Sequence, residues 1–331
     1  MFIVIEGTDA SGKSSLIAEI QKQLGADVEL FHKGRPEVES RRWVLDEYVI
    51  NVSNHYSLNR DKTYLSDRWH WGEVTYAPLK RPHTDTDGFG LLGVAGWRWV
   101  ELFLLSRGVT QFWLYQPLDV ISQRLQDRGD DFVSVDELSQ ILDNYTKASK
   151  ETASCLTLCP DSDSFSALPE LAASVIRIAR EREQEANKLS KHVGYIGSPN
   201  PQVLLVGDKR NDKTVTSLPF MPVDSNSGDY LLSCLPDPFW KTIGIINGDD
   251  INGKPLNILW HSLGKPKIVA LGRMAEKYLK RSGFDESTYN VVAHPQYVRR
   301  FHHHDRMEYG MAIERLSKQT TEQQGEPWIL R

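Results

Sequence analysis

The chain is poor in cysteine, and its apolar residues never form a long run. Cysteine occurs three times in 331 residues, at positions 155, 159 and 234. That spacing fits no metal motif and three thiols cannot all pair, so we expect structural thiols in a reducing, cytoplasmic compartment. The most apolar stretch, residues 89–105, is interrupted by Arg98 and Glu101. The sequence therefore predicts no membrane span.

An excess of basic charge is also missing. The net charge is −5, charged residues make up 25% of the chain and hydrophobic residues 40%. This balance is typical of a soluble globular protein and gives no overall attraction to nucleic acid. Any contact with DNA would therefore require a local site.

Short β-rich apolar segments alternate with helical patterns along the chain, which predicts parallel sheets with flanking helices. The first strands are expected at residues 2–5, 28–31 and 63–66, and the alternation restarts at residues 203–206, with a later strand at residues 267–271. Ser134 and Glu137 form a capping-box pattern, which predicts a helix that begins near Val135. The length suffices for two α/β domains. We place them at residues 1–193 and 200–331, because the segment between them is rich in glycine, proline and serine.

A glycine-rich loop follows the first predicted strand and precedes a predicted helix. Residues 7–14 read GTDASGKS and match G-x-x-x-x-G-K-[ST], the P-loop motif. Its backbone N–H groups and the helix N-terminus attract phosphate oxygens, Lys13 reaches the outer phosphates of ATP, and the Ser14 hydroxyl binds Mg²⁺. The expected nucleotide-binding residues are Gly7, Asp9, Ser11, Gly12, Lys13, Ser14 and Ser15.

An acid–base dipeptide, Asp67-Arg68, ends the third predicted strand. Ligands lie at the carboxyl ends of parallel strands, where a guanidinium can grip a phosphate and a carboxylate can accept a proton or orient Mg²⁺. We therefore predict that both residues are catalytic and that Asp67 assists Ser14 in binding the metal. A surface ion pair is the alternative.

Two arginines, Arg124 and Arg128, lie four residues apart on a predicted helix. This spacing puts both on one helix face, from which they can close over the transferring phosphoryl group and exclude water. A solvated helix end, favoured by the helix dipole, is the alternative.

An acceptor pocket is expected near these motifs. Its predicted residues are Asp9, Arg35, Arg68, Trp69, Arg81 and Arg98. The aromatic residues Trp69, Trp71, Tyr76 and Phe89 are candidates for stacking on a base, although aromatic side chains at this density are usually core residues.

Residues 2–15, with an acidic residue inside the loop, resemble the opening of thymidylate kinases. The Asp-Arg-aromatic triplet and the R-x-x-x-R spacing are also similar to motifs of that family, and the resemblance covers about residues 1–180. It implies transfer of phosphate from ATP, with Mg²⁺, to thymidylate or a 5-modified deoxyuridylate. By that likeness Asp9 would face the acceptor's sugar hydroxyl and Arg35 its phosphate. Thymidylate kinases are commonly dimers, which leaves a homodimer open.

The second half resembles the uracil-DNA glycosylase superfamily, whose fold is a three-layer α/β/α domain. The likeness is carried by a strand that ends in Gly207-Asp208, by Phe220, and by a late His294-Pro295 turn. It implies that Asp208 activates water, Phe220 stacks on a base and His294 stabilises the departing base. A module that reads bases without excising them is the alternative.

These two resemblances leave three functions open. The first is the nucleotide kinase with an accessory base-reading domain. The second is a kinase that acts on the hydroxymethyl group of a modified thymine in DNA, and the third is a nucleotide-gated DNA-binding module without turnover. A zinc site at residues 302–304 is disfavoured, because three consecutive histidines on a helix point in different directions.

Overall fold

The structure is a computed structural model of the chain. It describes residues 1–25, 27–58, 62–85, 87–129, 133–160, 167–189, 194–208, 218–222, 226–248, 256–302 and 306–318. The chain folds into two compact units. The first comprises Met1–Gly93 and Arg107–Glu185, and the second comprises Val94–Ser106 and Ala186–Arg331.

The first unit is built on a parallel sheet of five strands. These are β1 (Phe2–Glu6), β2 (Val28–His32), β3 (Thr63–Asp67), β4 (Thr110–Leu114) and β5 (Cys155–Leu158), in the order β2-β3-β1-β4-β5. All neighbours pair in parallel. The predicted parallel sheet is confirmed, and its carboxyl edge collects the residues that follow β1, β2 and β3.

Helices connect these strands. They are α1 (Lys13–Leu24), α2 (Arg41–Leu58), α3 (Gly72–Thr75), α4 (Ala77–Lys80), α6 (Leu118–Arg128), α7 (Val135–Glu151) and α8 (Leu168–Leu189), with α5 (Gly93–Ser106) between α4 and β4. On one sheet face, Ile3, Ile5 and Phe112 share a core with α1 and α8. Burying each such side chain contributes roughly 1.5–3 kcal/mol, which holds α1 in a fixed position at the end of β1.

The helix α5 belongs almost entirely to the second unit. Arg98 donates to the carbonyl oxygens of Leu232 (2.8 Å) and Leu235 (2.6 Å) and forms an ion pair with Asp237. The indole N–H of Trp99 donates to the carbonyl of Pro219 at 2.9 Å. Eleven of its residues are buried, as expected of a helix whose sequence is apolar on most sides.

The second unit has its own five-stranded sheet, in the order β10-β9-β7-β8-β6. The strands are β6 (Ile196–Gly197), β7 (Val203–Gly207), β8 (Ile243–Asn247), β9 (Lys267–Leu271) and β10 (Tyr289–Val292). β7 to β10 are parallel, while β6 pairs antiparallel with β8. The sequence did not predict β6, because its two residues lie in a segment dominated by turn formers.

The helices of the second unit after α8 are α9 (Ser227–Cys234), α10 (Leu256–Ser262), α11 (Arg273–Arg281), α12 (Pro295–Phe301) and α13 (Arg306–Lys318). The helices α10 and α11 share a core with the sheet, which includes Leu204, Ile246, Leu259 and Leu279. In the part of the chain that is described, no helix has the length and apolarity to cross a membrane. Of the three consecutive histidines, only His302 lies among the described residues.

Candidate functional site

The loop between β1 and α1 has the conformation that its glycines predict. Gly7, Ala10 and Gly12 have positive φ values of 155°, 60° and 96°. A Cβ on Gly7 would lie 2.9 Å from the carbonyl oxygen of Leu114 and from Ser11 Oγ. The loop therefore requires glycine at this position, because a larger residue would be strained and would also collide with the neighbouring strand.

Lys13 closes this loop. Its Nζ donates to the carbonyl oxygens of Gly7 (3.0 Å) and Thr8 (2.7 Å). Burial, aided by the charge of Arg68, lowers the pKa of Lys13 to about 8. A desolvated ammonium held by carbonyl groups is ready to exchange them for phosphate oxygens.

The serines of the loop supply hydroxyl groups. Ser11 is buried, and among the described residues its Oγ has no hydrogen-bond partner. Ser14 and Ser15 are exposed in the first turn of α1. Unmatched hydroxyl oxygen at a helix N-terminus suits a phosphate or a Mg²⁺ ion, which prefers oxygen ligands.

The residues after β3 turn toward the loop. Arg68 is left-handed, with φ 65°, and its backbone N–H donates to the carbonyl of Ile5 at 2.9 Å. Its guanidinium forms a short ion pair with Asp9, and the Tyr76 hydroxyl donates to the other oxygen of Asp9 at 3.0 Å. Burial opposes ionisation of Asp9, yet the positive charges of Arg68 and Lys13 hold its pKa below the usual value. Arg68 therefore pairs with Asp9 and not with its sequence neighbour Asp67, and it is part of the site.

Asp67 lies at the end of β3 beside the last residue of β2. One of its oxygens is 3.3 Å from Nδ1 of His32. The other is buried and has no hydrogen-bond partner among the described residues. This oxygen fits the predicted role in binding Mg²⁺. His32 could not be found from the sequence alone, because the pairing of β2 with β3 brings it to Asp67.

A cavity of about 250 Å³ adjoins Arg68 in the first unit. Its lining residues are Lys33, Gly34, Arg35, Pro36, Tyr48, Arg68, Trp69, Gly72, Glu73, Tyr76, Lys80 and Arg81. Of the predicted acceptor residues, Arg35, Arg68, Trp69 and Arg81 therefore line one pocket. Asp9 contacts it through Arg68 and Tyr76.

A buried ion pair forms part of the pocket wall. Arg81 donates to Glu73 Oε1 at 2.7 Å, and the other oxygen of Glu73 accepts the backbone N–H of Leu91 at 2.9 Å. Both side chains are at most 5% exposed. Among the described residues, Nη1 of Arg81 has no partner. In the sequence, only the position of Glu73 shortly after Arg68 could have indicated this role.

The other cations at the pocket also have carboxylate partners. Lys33 pairs with Glu47, Lys80 with Glu137 and Arg35 with Glu39. These carboxylates are not among the lining residues. The pocket is therefore lined by more cationic than acidic residues, and an anionic ligand can compete with the carboxylates for these cations.

The aromatic candidates separate into core and pocket residues. Trp71 is fully buried, and its N–H donates to Gln111 at 3.1 Å. Trp69 is almost fully buried, packs on Phe2 and still borders the pocket. Tyr76 borders the pocket beneath the guanidinium of Arg68. Phe89 lies against Lys147, and it is not a lining residue.

The two arginines of the predicted lid differ in position. Arg124 Nη1 donates to the carbonyl of Ala10 in the loop at 3.4 Å, while Arg128 is exposed in the last turn of α6. The remaining predicted residue, Arg98, is not brought to this site, since its guanidinium bonds to carbonyl groups of the second unit.

The second unit brings together its three predicted base-site residues. His294 Nε2 is 3.6 Å from Asp208 Oδ1, and the rings of Phe220 and His294 are 6.4 Å apart. The backbone of Phe220 is left-handed, with φ 51°. The Phe220 ring lies so close to Gly207 that a Cβ added to Gly207 would be 2.4 Å from the ring. These residues gather at the carboxyl edge of the parallel strands, where ligands bind in α/β folds.

Comparison with known proteins finds structural likeness in the first half of the chain. The YorR protein of Bacillus subtilis, solved with phosphorylated GDP, is 19% identical, with a TM-score of 0.44 over 56% of this chain and 98% of its own. The M. mycoides deoxyadenosine kinase with bound dCTP is 16% identical, with a TM-score of 0.35 over 54% of this chain and 99% of its own. No family model matches the sequence, and no curated protein matches it. At these low identities and TM-scores, the functional assignment rests on the geometry of the site itself.

Proposed function

We propose that the first unit transfers the γ-phosphoryl group of ATP to a deoxynucleoside monophosphate, either thymidylate or a 5-modified deoxyuridylate. The observation that carries this proposal is the Asp9–Arg68 ion pair, which joins the phosphate loop to the neighbouring pocket. A donor site and an acceptor site that share a guanidinium are suited to in-line transfer, where positioning and charge supply the rate.

On the donor side, the loop amides and Lys13 would hold the phosphates of ATP. Ser14 and Asp67 supply the oxygen ligands that Mg²⁺ requires, and the unmatched Asp67 oxygen supports that role. When bound, Mg²⁺ neutralises charge on the phosphates. Arg124, which already bonds to the loop, would add a positive charge there, and Arg128 would follow on closure of α6.

On the acceptor side, the cations that line the pocket favour an anionic ligand over a neutral nucleoside. Arg68 and Arg35 would grip the acceptor phosphate, and Asp9 would face the sugar hydroxyl. Arg81, held by Glu73, offers a buried donor to the base, and Tyr76 and Trp69 provide aromatic walls. Arg68, Asp9 and Arg81 are already held by ion pairs, so these side chains lose little entropy on binding.

The test is transfer of labelled γ-phosphate from ATP to a panel of deoxynucleoside monophosphates, nucleosides, and DNA with normal or hydroxymethylated thymine. We expect label on thymidylate or a 5-modified deoxyuridylate. Lys13→Ala should reduce transfer by at least about a hundredfold, since it removes transition-state charge, whereas the exposed control Lys22→Ala on α1 should not. If transfer is unchanged in Lys13→Ala, the phosphate loop takes no part in the reaction.

The cluster of Asp208, Phe220 and His294 favours a second candidate. A base-reading second unit beside a kinase would deliver a hydroxymethylated base of DNA as the acceptor. In that case the panel labels only the modified polymer, and Phe220→Ala abolishes labelling. If ATP changes DNA affinity without any transfer, the protein is instead a gated binding module. Release of a free base would identify excision by the second unit.

A further inference from the structure

Glu6 is a buried carboxyl group that neither the phosphate loop nor the acceptor pocket accounts for. It is the last residue of β1, directly before Gly7, and it is fully buried. Its Oε1 accepts the backbone N–H of Trp69 at 2.8 Å. Its Oε2 is also buried and has no hydrogen-bond partner among the described residues.

The hydrogen bond to Trp69 lies next to a strained backbone conformation. Arg68, the residue before Trp69, has a left-handed conformation that costs roughly 1–2 kcal/mol for a residue with a side chain. Two contacts with β1 flank this strained residue, since Arg68 N–H donates to Ile5 and Trp69 N–H donates to Glu6. Together they fix the direction in which Asp67 and Arg68 leave β3.

The charged groups near Glu6 lie at two elements, and two phenols lie on two more. Arg68 and Asp67 lie at the end of β3 and Lys13 begins α1, while the phenols of Tyr48 on α2 and Tyr145 on α7 also feel its charge. A buried carboxylate is costly unless it is paired. Glu6 is therefore placed where its charge attracts both Arg68 and Lys13, two of the cations that border the site.

We infer that Glu6 is a positioning residue for phosphoryl transfer: its carboxylate anchors the turn that carries Asp67 and Arg68 to the strand that carries the phosphate loop. It acts through Trp69 and Arg68 and touches neither substrate. The inference rests on the proposed function of the same site.

This role makes the site sensitive to pH near neutrality. Burial raises the pKa of Glu6 to about 7, against the opposing effects of the Trp69 hydrogen bond and of Arg68. Above that pH the carboxylate is ionised and holds the turn by a charge-assisted bond. As the pH falls through about 7 the group takes up a proton, and the attraction to Arg68 and Lys13 is lost.

The first arm of the test compares the wild-type protein with Glu6→Gln, whose amide mimics the protonated acid. For the acceptor, wild-type kcat/KM should fall as pH drops through about 7. Glu6→Gln should lack this acid limb and stay about tenfold below the wild-type plateau, the effect of one charge-assisted bond. Glu6→Asp should restore the limb, and the exposed control Glu170→Gln should match wild type. An acid limb that persists in Glu6→Gln would overturn the inference.

The second arm does not depend on catalysis. In protein labelled with ¹⁵N at its nine tryptophans, the Trp69 amide, assigned with Trp69→Phe, should titrate with a midpoint near 7 in wild type and not in Glu6→Gln. An amide that does not titrate would refute the role of Glu6 even if transfer occurs. Titration without any transfer would instead refute the proposed function and leave the anchoring of the turn intact.

Discussion

Single residues in strained conformations decide how the site is assembled. Arg68 and Ala10 both have positive φ values although neither is glycine, and such strain persists only where neighbours enforce it. For Arg68 the enforcing contacts are the Ile5 carbonyl and the Asp9 carboxylate. An Asp-Arg dipeptide that would otherwise form a surface ion pair is thereby separated, with the two side chains serving different partners.

Gly7→Ala should be the most damaging single-methyl change in the loop. The added Cβ would meet the backbone of Leu114 at 2.9 Å in a conformation that side chains rarely adopt. We expect a loss of about 1–3 kcal/mol in the free energy of unfolding from strain and loss of measurable ATP binding. Chemical denaturation and ATP titration would measure the two effects.

The matched control for this change is Gly25→Ala. Gly25 also has a positive φ, 85°, but among the described residues beyond its chain neighbours a Cβ there would meet no atom within 4 Å. It should lose stability through backbone strain alone and keep ATP binding. If both variants bind ATP as the wild type does, the close approach of Gly7 to β4 has no functional role.

Among the helices, α7 has the start that its sequence specifies most clearly. Ser134 accepts the backbone N–H of Glu137, and the Glu137 side chain accepts the N–H of Ser134, so the predicted capping box is confirmed. Glu137 also pairs with Lys80 beside the acceptor pocket. The cap therefore helps to place a pocket cation as well as to begin the helix.

Ser134→Ala should reduce the free energy of unfolding by about 1 kcal/mol, the usual value of an N-cap side chain. Ser149→Ala in the same helix should cost less, because in the described part of the chain that hydroxyl bonds only to the carbonyl of Thr146 within the helix. Denaturation curves of the two variants would make the comparison. Equal losses would mean that the capping box adds nothing to a helix end already fixed by tertiary packing.

Local patterns predicted most of the strands, and long-range contacts explain what they missed. β9 was expected at Lys267–Leu271 and lies there, and the apolar runs of β1 and β7 lie fully buried in the two sheets. The strand β6 has only two residues, which is too short for an alternating apolar pattern to predict it. Its burial depends on pairing with β8, some fifty residues away.

The site was predictable where its residues follow one another in the chain. The phosphate loop is a contiguous motif, and Asp67-Arg68 ends a readable strand. Glu6, His32 and Glu73 could not be found in this way, because their roles come from contacts with Trp69, Asp67 and Arg81 that only the folded chain creates. Arg98 was expected at the pocket because it lies near Arg81 in sequence, but the structure places it in the second unit.

At the scale of the whole molecule, α5 comes from the first half of the chain but lies almost entirely in the second unit. A fragment of residues 1–193 retains α5 but lacks Pro219, Leu232 and Leu235, whose carbonyls bond to Trp99 and Arg98. Each buried donor left unsatisfied costs about 1–3 kcal/mol, and more where it is charged. We expect the fragment to aggregate, or to unfold at a temperature well below that of the full chain.

The same reasoning gives a variant that tests α5 without truncation. Arg98→Met in the full chain should lower the free energy of unfolding by about 2–5 kcal/mol, because it removes the donor to two buried carbonyls. Under conditions in which the variant is folded, it should still bind ATP at the phosphate loop. Size-exclusion chromatography of the fragment and denaturation of the variant are the measurements. A monomeric fragment that unfolds at the temperature of the full chain would show that α5 is held within the first unit.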